Sequence, residues 1–307
     1  MFWMSRYIER GEHVARLLEV AFHLHLDLHA VAGSHDLQWQ SLLAIVQQPA
    51  SEMKEGILAA TVSDGLTFDM KNPSSIMTCI NRSRNNARSI RGSISSEMWR
   101  ELNKLYWQVT DPEFRRSLQD SPHELYQVVQ TGSHLFQGVC DATMIHDEGW
   151  QFIQLGKYLE RADKILHVVG TRHQQLSAAV NEMEPSLQNL HWASVLKSCG
   201  AYHAYQQRYI SRVEPDRVME FLLLNPDFPY SVRFCLKAAA DNLAAIGEND
   251  NDRSNDRAGR ILGRIILDLE YAEPQEVMNG QLRSFLETIS QRCTQATAAV
   301  QKQYLML

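Results

Sequence analysis

The 307-residue chain contains no Cys-x-x-Cys, and its cysteines, Cys79, Cys140, Cys199, Cys235 and Cys293, are scattered and odd in number. Neither a disulfide framework nor a thiolate zinc site is indicated. No apolar run reaches the roughly 18 residues that a bilayer requires. The start also lacks a basic region followed by an apolar core and a small-residue cleavage site. The expectation is a cytoplasmic protein with no membrane partner. There is no basic excess either: the net charge is −6 and the pI about 6.1, which argues against a general nucleic-acid binder. The glycine-rich phosphate cradles and the Gly-x-Ser-x-Gly elbow are missing, so nucleotide binding and esterase chemistry have no support. Period-two strand patterns are absent as well, and the class is all-α.

What the chain does have is a repeat. Arg6-Tyr7-Ile8-Glu9-Arg10-Gly11-Glu12 returns as Lys157-Tyr158-Leu159-Glu160-Arg161-Ala162-Asp163, an offset of 151 that holds from Met4 to Leu18. Trp39, Ser41 and Leu43 match Trp192, Ser194 and Leu196 at 153, and Pro73, Ser75, Cys79 and Asn86 match Pro229, Ser231, Cys235 and Asn242 at 156. Matches in the same order with slowly growing offsets are what duplication of half a chain leaves behind, and the period far exceeds that of solenoid repeats. The expected architecture is one helical bundle over 1–307, built from two duplicated halves, about 1–145 and 146–307, around an approximate internal twofold.

At about 100° per residue, Met4, Ile8, Gly11, Ala15, Leu18 and Phe22 form one apolar stripe. Trp3, Val14, Leu17, Ala21 and Leu28 form another beside it. Arg10 falls within the second stripe, and Glu9 on the side of Glu12, Arg16 and His23. The later copy places Arg161 among Ile165 and Val168, beside the stripe of Leu155, Leu159, Ala162, Leu166 and Val169. A guanidinium in an apolar arc must meet a carboxylate or carbonyls, because burying its charge alone costs many kcal/mol. Arg10 and Arg161 are therefore expected to be paired in the interior. Gly11 and Ala162 are small enough to admit a neighbouring helix.

The first helix is already running at Met1 and ends near Ala30, before a break at Gly33-Ser34. No capping residue precedes Phe2-Trp3-Met4, and the counterpart of the approach segment 141–150 would lie before Met1, so the chain is expected to continue upstream. Helices are expected over 36–48 and 51–62, with Ser51 as an N-cap and a turn at Asp64-Gly65. Another starts at Asn72-Pro73-Ser74-Ser75 and carries Arg84, Arg88 and Arg91 on one face. Further starts fall at Ser95-Ser96-Glu97, Asp111-Pro112-Glu113 and Ser121-Pro122-His123-Glu124. The second half opens with a long helix from Asp147 to Leu176 or beyond. A turn follows at 181–186, then helices over 192–209, from Glu214-Pro215-Asp216 to Leu224, and over 231–246. Residues 248–255 form a solvated loop, and helices over 256–271 and 274–305 finish the chain.

Two readings stand for Tyr7, Glu9, Arg10 and for Tyr158, Glu160, Arg161. The arginine locks helices together through a buried ion pair, or the two motifs bind a carboxylate or phosphate in a common cavity. Arg84, Arg88 and Arg91 are an anion-binding candidate by charge density, set against a solvated or paired face. Asp141, Asp147 and Glu148 complement the dipole of the long helix, or partner a motif arginine, or cluster for a metal. The Glu-x-x-His pairs of di-iron bundles do not occur, and of His23, His25 and His29 only the last two share a face. No metal and no cofactor is expected. Cys79 and Cys235, matched by the repeat, read as core.

Tyr-[Ile/Leu]-Glu-Arg twice, Ser95-Ser96-Glu97-Met98-Trp99, Asp141-Ala142-Thr143-Met144, Asp147-Glu148-Gly149-Trp150 and Phe221-Leu222-Leu223-Leu224 together resemble the Alpha-E family over nearly the whole chain. That family is a predicted α-helical domain named for its Glu-Arg motif. The resemblance implies a bacterial protein associated with circularly permuted ATP-grasp amidoligases and transglutaminase-like peptidases. It also implies several residues before the first Trp-Met. The expected function is that of a non-catalytic helical partner or substrate-presenting protein in peptide or amide formation. The alternative is an enzyme acting on peptide-like amides, with a glutamate as acid or base and an arginine as anion clamp.

Overall fold

In the computed structural model, residues 1–29, 37–49, 58–179, 184–210, 212–247, 256–276 and 282–305 are described. Among them the structure is all-α, without a strand. The chain divides into two compact units, Met1–Ile153 and Gln154–Leu307.

The first unit is built on α1 (Phe2–His29), which packs against α4 (Ile76–Ser89) and α7 (Pro122–Thr143). Gly11 is where α4 comes close, since a methyl group there would sit 3.4 Å from Cys79 Cβ. Around this trio lie α2 (Leu37–Ile45), α3 (Ala59–Phe68), α5 (Ser96–Thr110) and α6 (Pro112–Asp120). In chain order the remainder runs α8 (Glu148–Ala179), α9 (Pro185–Ser198), α10 (Tyr202–Arg208), α11 (Pro215–Leu224), α12 (Val232–Gly247), α13 (Arg257–Glu270), α14 (Pro274–Glu276) and α15 (Leu282–Val300). In the second unit α12 and α15 both pack on α13.

Side-chain caps set several starts. Ser75 Oγ accepts from Thr78 N at 3.2 Å, Ser95 Oγ from Met98 N at 3.1 Å, and Asp256 Oδ1 from Gly259 N at 2.7 Å. Proline occupies the first turn of α7, α9 and α11, where its missing N–H costs nothing. Cys79 and Cys235 are both buried.

Three expectations need correction. Asp64-Gly65 does not turn the chain but lies inside α3, carried through by the buried side chains of Val62, Leu66 and Phe68. Arg91 is not on α4, which ends at Ser89; it starts the 3₁₀ turn Arg91–Ser93. The helix expected over 192–209 breaks at Gly200, whose φ of 60° no helix accommodates. The Gly33-Ser34 break, the Ser51 cap and the 248–255 loop lie outside the described residues, as do residues 181–183 of the expected 181–186 turn, whose last two residues, Pro185 and Ser186, instead open α9.

Gly200 closes α9 with a tight turn, its own N–H bonding Lys197 O at 3.0 Å and Ala201 N–H bonding Leu196 O at 2.8 Å. Gln47 does the same after α2, with φ 59° and bonds from Gln47 N to Ala44 O (3.1 Å) and Gln48 N to Leu43 O (2.9 Å). A side chain in this left-handed conformation costs about 1 kcal/mol relative to glycine. Gly200→Ala should therefore destabilise the protein by about 1 kcal/mol, and Gln47→Gly should stabilise it by a similar amount. Urea midpoints that move in opposite directions are the check.

Candidate functional site

The helix bearing the first Glu-Arg pair is buried on more than its apolar stripes. Glu9, Glu12, His13 and Arg16 recur at the three- and four-residue spacing that lines up one helical face. Glu9 is 2% exposed and Glu12 fully buried. Gln137 Nε2 on α7 donates to Glu9 Oε2 at 3.0 Å. Arg16 Nη2 donates to Glu12 Oε1, and His134 Nε2 of α7 lies 3.6 Å from the same oxygen. Burial pushes the Glu12 carboxyl up, but Arg16, then His134 and His13, outweigh it and bring its pKa down to about 2.

This reverses the expected assignment for the first copy. Arg10, expected in the interior, is only half-buried, with its guanidinium 5.6 Å from the centre of the Tyr7 ring. Glu9 is the deeper of the pair. The side of α1 that looks polar in projection packs against polar groups of α7, so it is an interior surface.

The second copy keeps its arginine inside. Arg161 is 6% exposed; its Nη1 donates to Pro229 O at 3.2 Å, and its guanidinium lies 3.8 Å from the centre of the Tyr230 ring. Tyr158 meets Phe234 edge-on at 6.0 Å. Glu160 is fully buried, with Lys164 Nζ 3.6 Å from its Oε1 and 3.1 Å from Asp163 Oδ2. Asp163 is pushed up by burial, but Lys164 and His167 together hold its carboxyl below the usual range. Each motif thus heads a largely buried charged face, completed by Glu12, His13 and half-buried Arg16 in one copy and by half-buried Asp163, Lys164 and His167 in the other. Sequence reasoning left these six residues out, although the 151 offset runs through all of them.

The three arginines of the α4 region sit differently. Arg84 Nε donates to Asn103 Oδ1 at 2.7 Å, and its guanidinium lies 4.3 Å from the ring centre of Tyr106 and 5.7 Å from those of Trp99 and Trp107. Arg91 lies 5.7 Å from the Trp99 ring, with Nη1 3.4 Å from Ile94 O. Arg88 is exposed. Among the described residues no carboxylate pairs with Arg84, Arg88 or Arg91. Trp107, 64% exposed, borders this face. The aromatic members come from α5 and were not read from the sequence as part of the site.

Asp147 and Glu148 are exposed at the start of α8, and Asp147 Oδ1 accepts from Trp150 N at 3.2 Å. That is a capping role, favourable at the positive end of the helix dipole. Asp141 Oδ1 accepts from Trp150 Nε1 at 3.1 Å. No helix among the described residues is long and apolar enough to cross a membrane.

Two long helices, each carrying a Glu-Arg pair with its glutamate buried, mark the chain as an α-helical domain. The chain belongs to the Alpha-E family, a predicted α-helical domain with a conserved ER motif, whose model matches residues 1–305. It is similar to an uncharacterized protein of Mycobacterium bovis and to uncharacterized proteins of two Mycobacterium tuberculosis strains. Each is 22% identical over 297 residues, covering 90% of this chain and 32% of the relative. The chain thus spans about a third of the length of the curated relatives it matches. No solved structure matches it.

Proposed function

We propose that this chain is a non-catalytic helical partner, or substrate-presenting protein, for an ATP-grasp amidoligase and a transglutaminase-like peptidase that form or process peptide-like amides. The α4–α5 face is the surface it offers to an acidic segment of such a partner or substrate. One observation carries this reading: Arg84, Arg88 and Arg91 have no carboxylate of their own among the described residues, and the Arg84 guanidinium lies 5.7 Å from the ring centre of exposed Trp107. Arginine and tryptophan are the side chains that most often dominate protein interfaces, and unpaired guanidinium groups select carboxylates. The ATP requirement of the partner places the system in the cytoplasm.

The enzyme alternative needs Glu9 or Glu160 at the reacting atoms. Both are buried, the first holding Gln137 and the second facing Lys164, so they serve the packing within their own unit. That supports the non-catalytic reading.

Duplication of an ancestral half-chain belongs to the same proposal. Asp69 Oδ1 accepts from Lys71 N, as Asn225 Oδ1 does from Asp227 N; Ser75 Oγ donates to Asp69 O, as Ser231 Oγ does to Asn225 O. Cys79 Sγ bonds Pro73 O, as Cys235 Sγ bonds Pro229 O. All are offset by 156, and the Gln47 and Gly200 turns by 153.

Co-purification of the tagged chain from its native host, with mass spectrometry, tests the function. An ATP-grasp protein should be recovered, and Arg88→Glu/Arg91→Glu should reduce its recovery at least tenfold. Equal recovery with the double variant rejects the arginine face, and consistent absence of an amidoligase rejects the partner.

A further inference from the structure

We infer that Glu19, His23 and His123 form a binding site for a single divalent transition-metal ion, with zinc as the best fit. None of the three residues belongs to a Glu-Arg motif or to the α4–α5 face, so the site stands or falls independently of the proposed function.

Glu19 and His23 are four residues apart on α1 and therefore project from the same face. His123 comes from the first turn of α7 and brings its Nδ1 to 2.6 Å from Glu19 Oε1. The two imidazole rings lie edge to face with centroids 5.3 Å apart. One donor atom from each residue can be chosen so that all three lie within 4.8 Å of one another.

The donor set is that of a zinc site with two histidines, one carboxylate and a fourth position left for water. Tetrahedral zinc with bonds of about 2.1 Å needs its donors about 3.4 Å apart. The widest pair must then close by at most about 1.4 Å, and the 2.6 Å Glu19–His123 pair must open by about 0.8 Å, which rotation of two exposed imidazoles supplies. The carboxylate is already held: Gln130 Nε2 donates to Glu19 Oε2 at 2.6 Å, which leaves Oε1 directed at His123. A hydrogen bond to the distal oxygen is the outer support that metal-bound carboxylates characteristically have. Two imidazoles suit zinc, copper, nickel or iron, and exclude magnesium and calcium, which take oxygen ligands.

His25, only two residues further along α1, is occupied otherwise, with its Nδ1 2.8 Å from Gln38 Nε2. It is therefore the natural control. The test is titration of the purified, chelator-treated chain with Zn²⁺ alone by calorimetry, and with Co²⁺ by visible absorption. One Zn²⁺ per chain is expected, with the intense bands of tetrahedral cobalt. His23→Ala and His123→Ala should each weaken binding at least tenfold, while His25→Ala leaves it within twofold. Circular dichroism and the thermal midpoint confirm folding; both ligand histidines are exposed, so the metal-free variants should melt like the metal-free parent. No saturable binding overturns the inference, as does binding that both His23→Ala and His123→Ala leave intact.

Discussion

Glu12→Gln is expected to destabilise the first unit by about 3 to 5 kcal/mol, because it removes the buried carboxylate that Arg16 faces while leaving that guanidinium in place. The same substitution should flatten the acid limb of the stability profile. The Glu12 carboxyl falls from 4.5 to about 2 on folding. As the pH drops through 4.5 the unfolded chain takes up its proton first, so the contribution of this group is fully present above that pH and gone by about 2. A lowering of that size corresponds to roughly 3 kcal/mol. Asp163 works in the same direction in the second unit, its carboxyl also being held below 3.8. Urea unfolding between pH 6 and pH 2, followed by tryptophan fluorescence, is the measurement. The parent should lose stability more steeply than Glu12→Gln as the pH falls. Parallel profiles would mean that Glu12 is not the buried anion described above.

The helix limits were legible wherever one residue type does one local job. Ser75 and Ser95 accept from the N–H three residues on, and Pro122 and Pro215 open α7 and α11. What the sequence concealed was which faces meet. Glu9 falls on the polar side of α1 because a helical projection sorts positions by chemical type, whereas its actual neighbour, Gln137, lies 128 residues further along the chain. Two polar faces packed on each other look, one helix at a time, like two solvated ones. His134 beside Glu12 and His123 beside Glu19 escaped for the same reason. Gly200 escaped for another. A lone glycine is tolerated within a helix at about 1 kcal/mol, so composition alone does not distinguish it from one at a left-handed turn. Arg84 and Arg88 were visible through their spacing on α4, but Arg91 lies in the turn beyond it and the aromatic half belongs to α5, which only the fold brings alongside.

The two Glu-Arg motifs are equal in sequence and unequal in burial, and the arginines should therefore differ in what they contribute. Arg161→Ala removes a charged donor from Pro229 O and a guanidinium stacked 3.8 Å from the centre of the Tyr230 ring. A hydrogen bond to a charged group contributes about 1.5 to 3 kcal/mol, and a desolvated cation–π contact about 2. The second unit should lose about 3 to 5 kcal/mol. Arg161→Lys keeps the charge but not the planar fork, and should restore no more than about half of that loss. Arg10→Ala, at a half-buried position over Tyr7, should cost about 1 kcal/mol. Urea unfolding of the three variants decides between two accounts. If burial sets the cost, Arg161→Ala falls well below Arg10→Ala, with Arg161→Lys between Arg161→Ala and the parent. Equal losses at Arg10 and Arg161 would mean instead that the motif contributes the same contacts in both units, and that the exposure of Arg10 does not reflect its role.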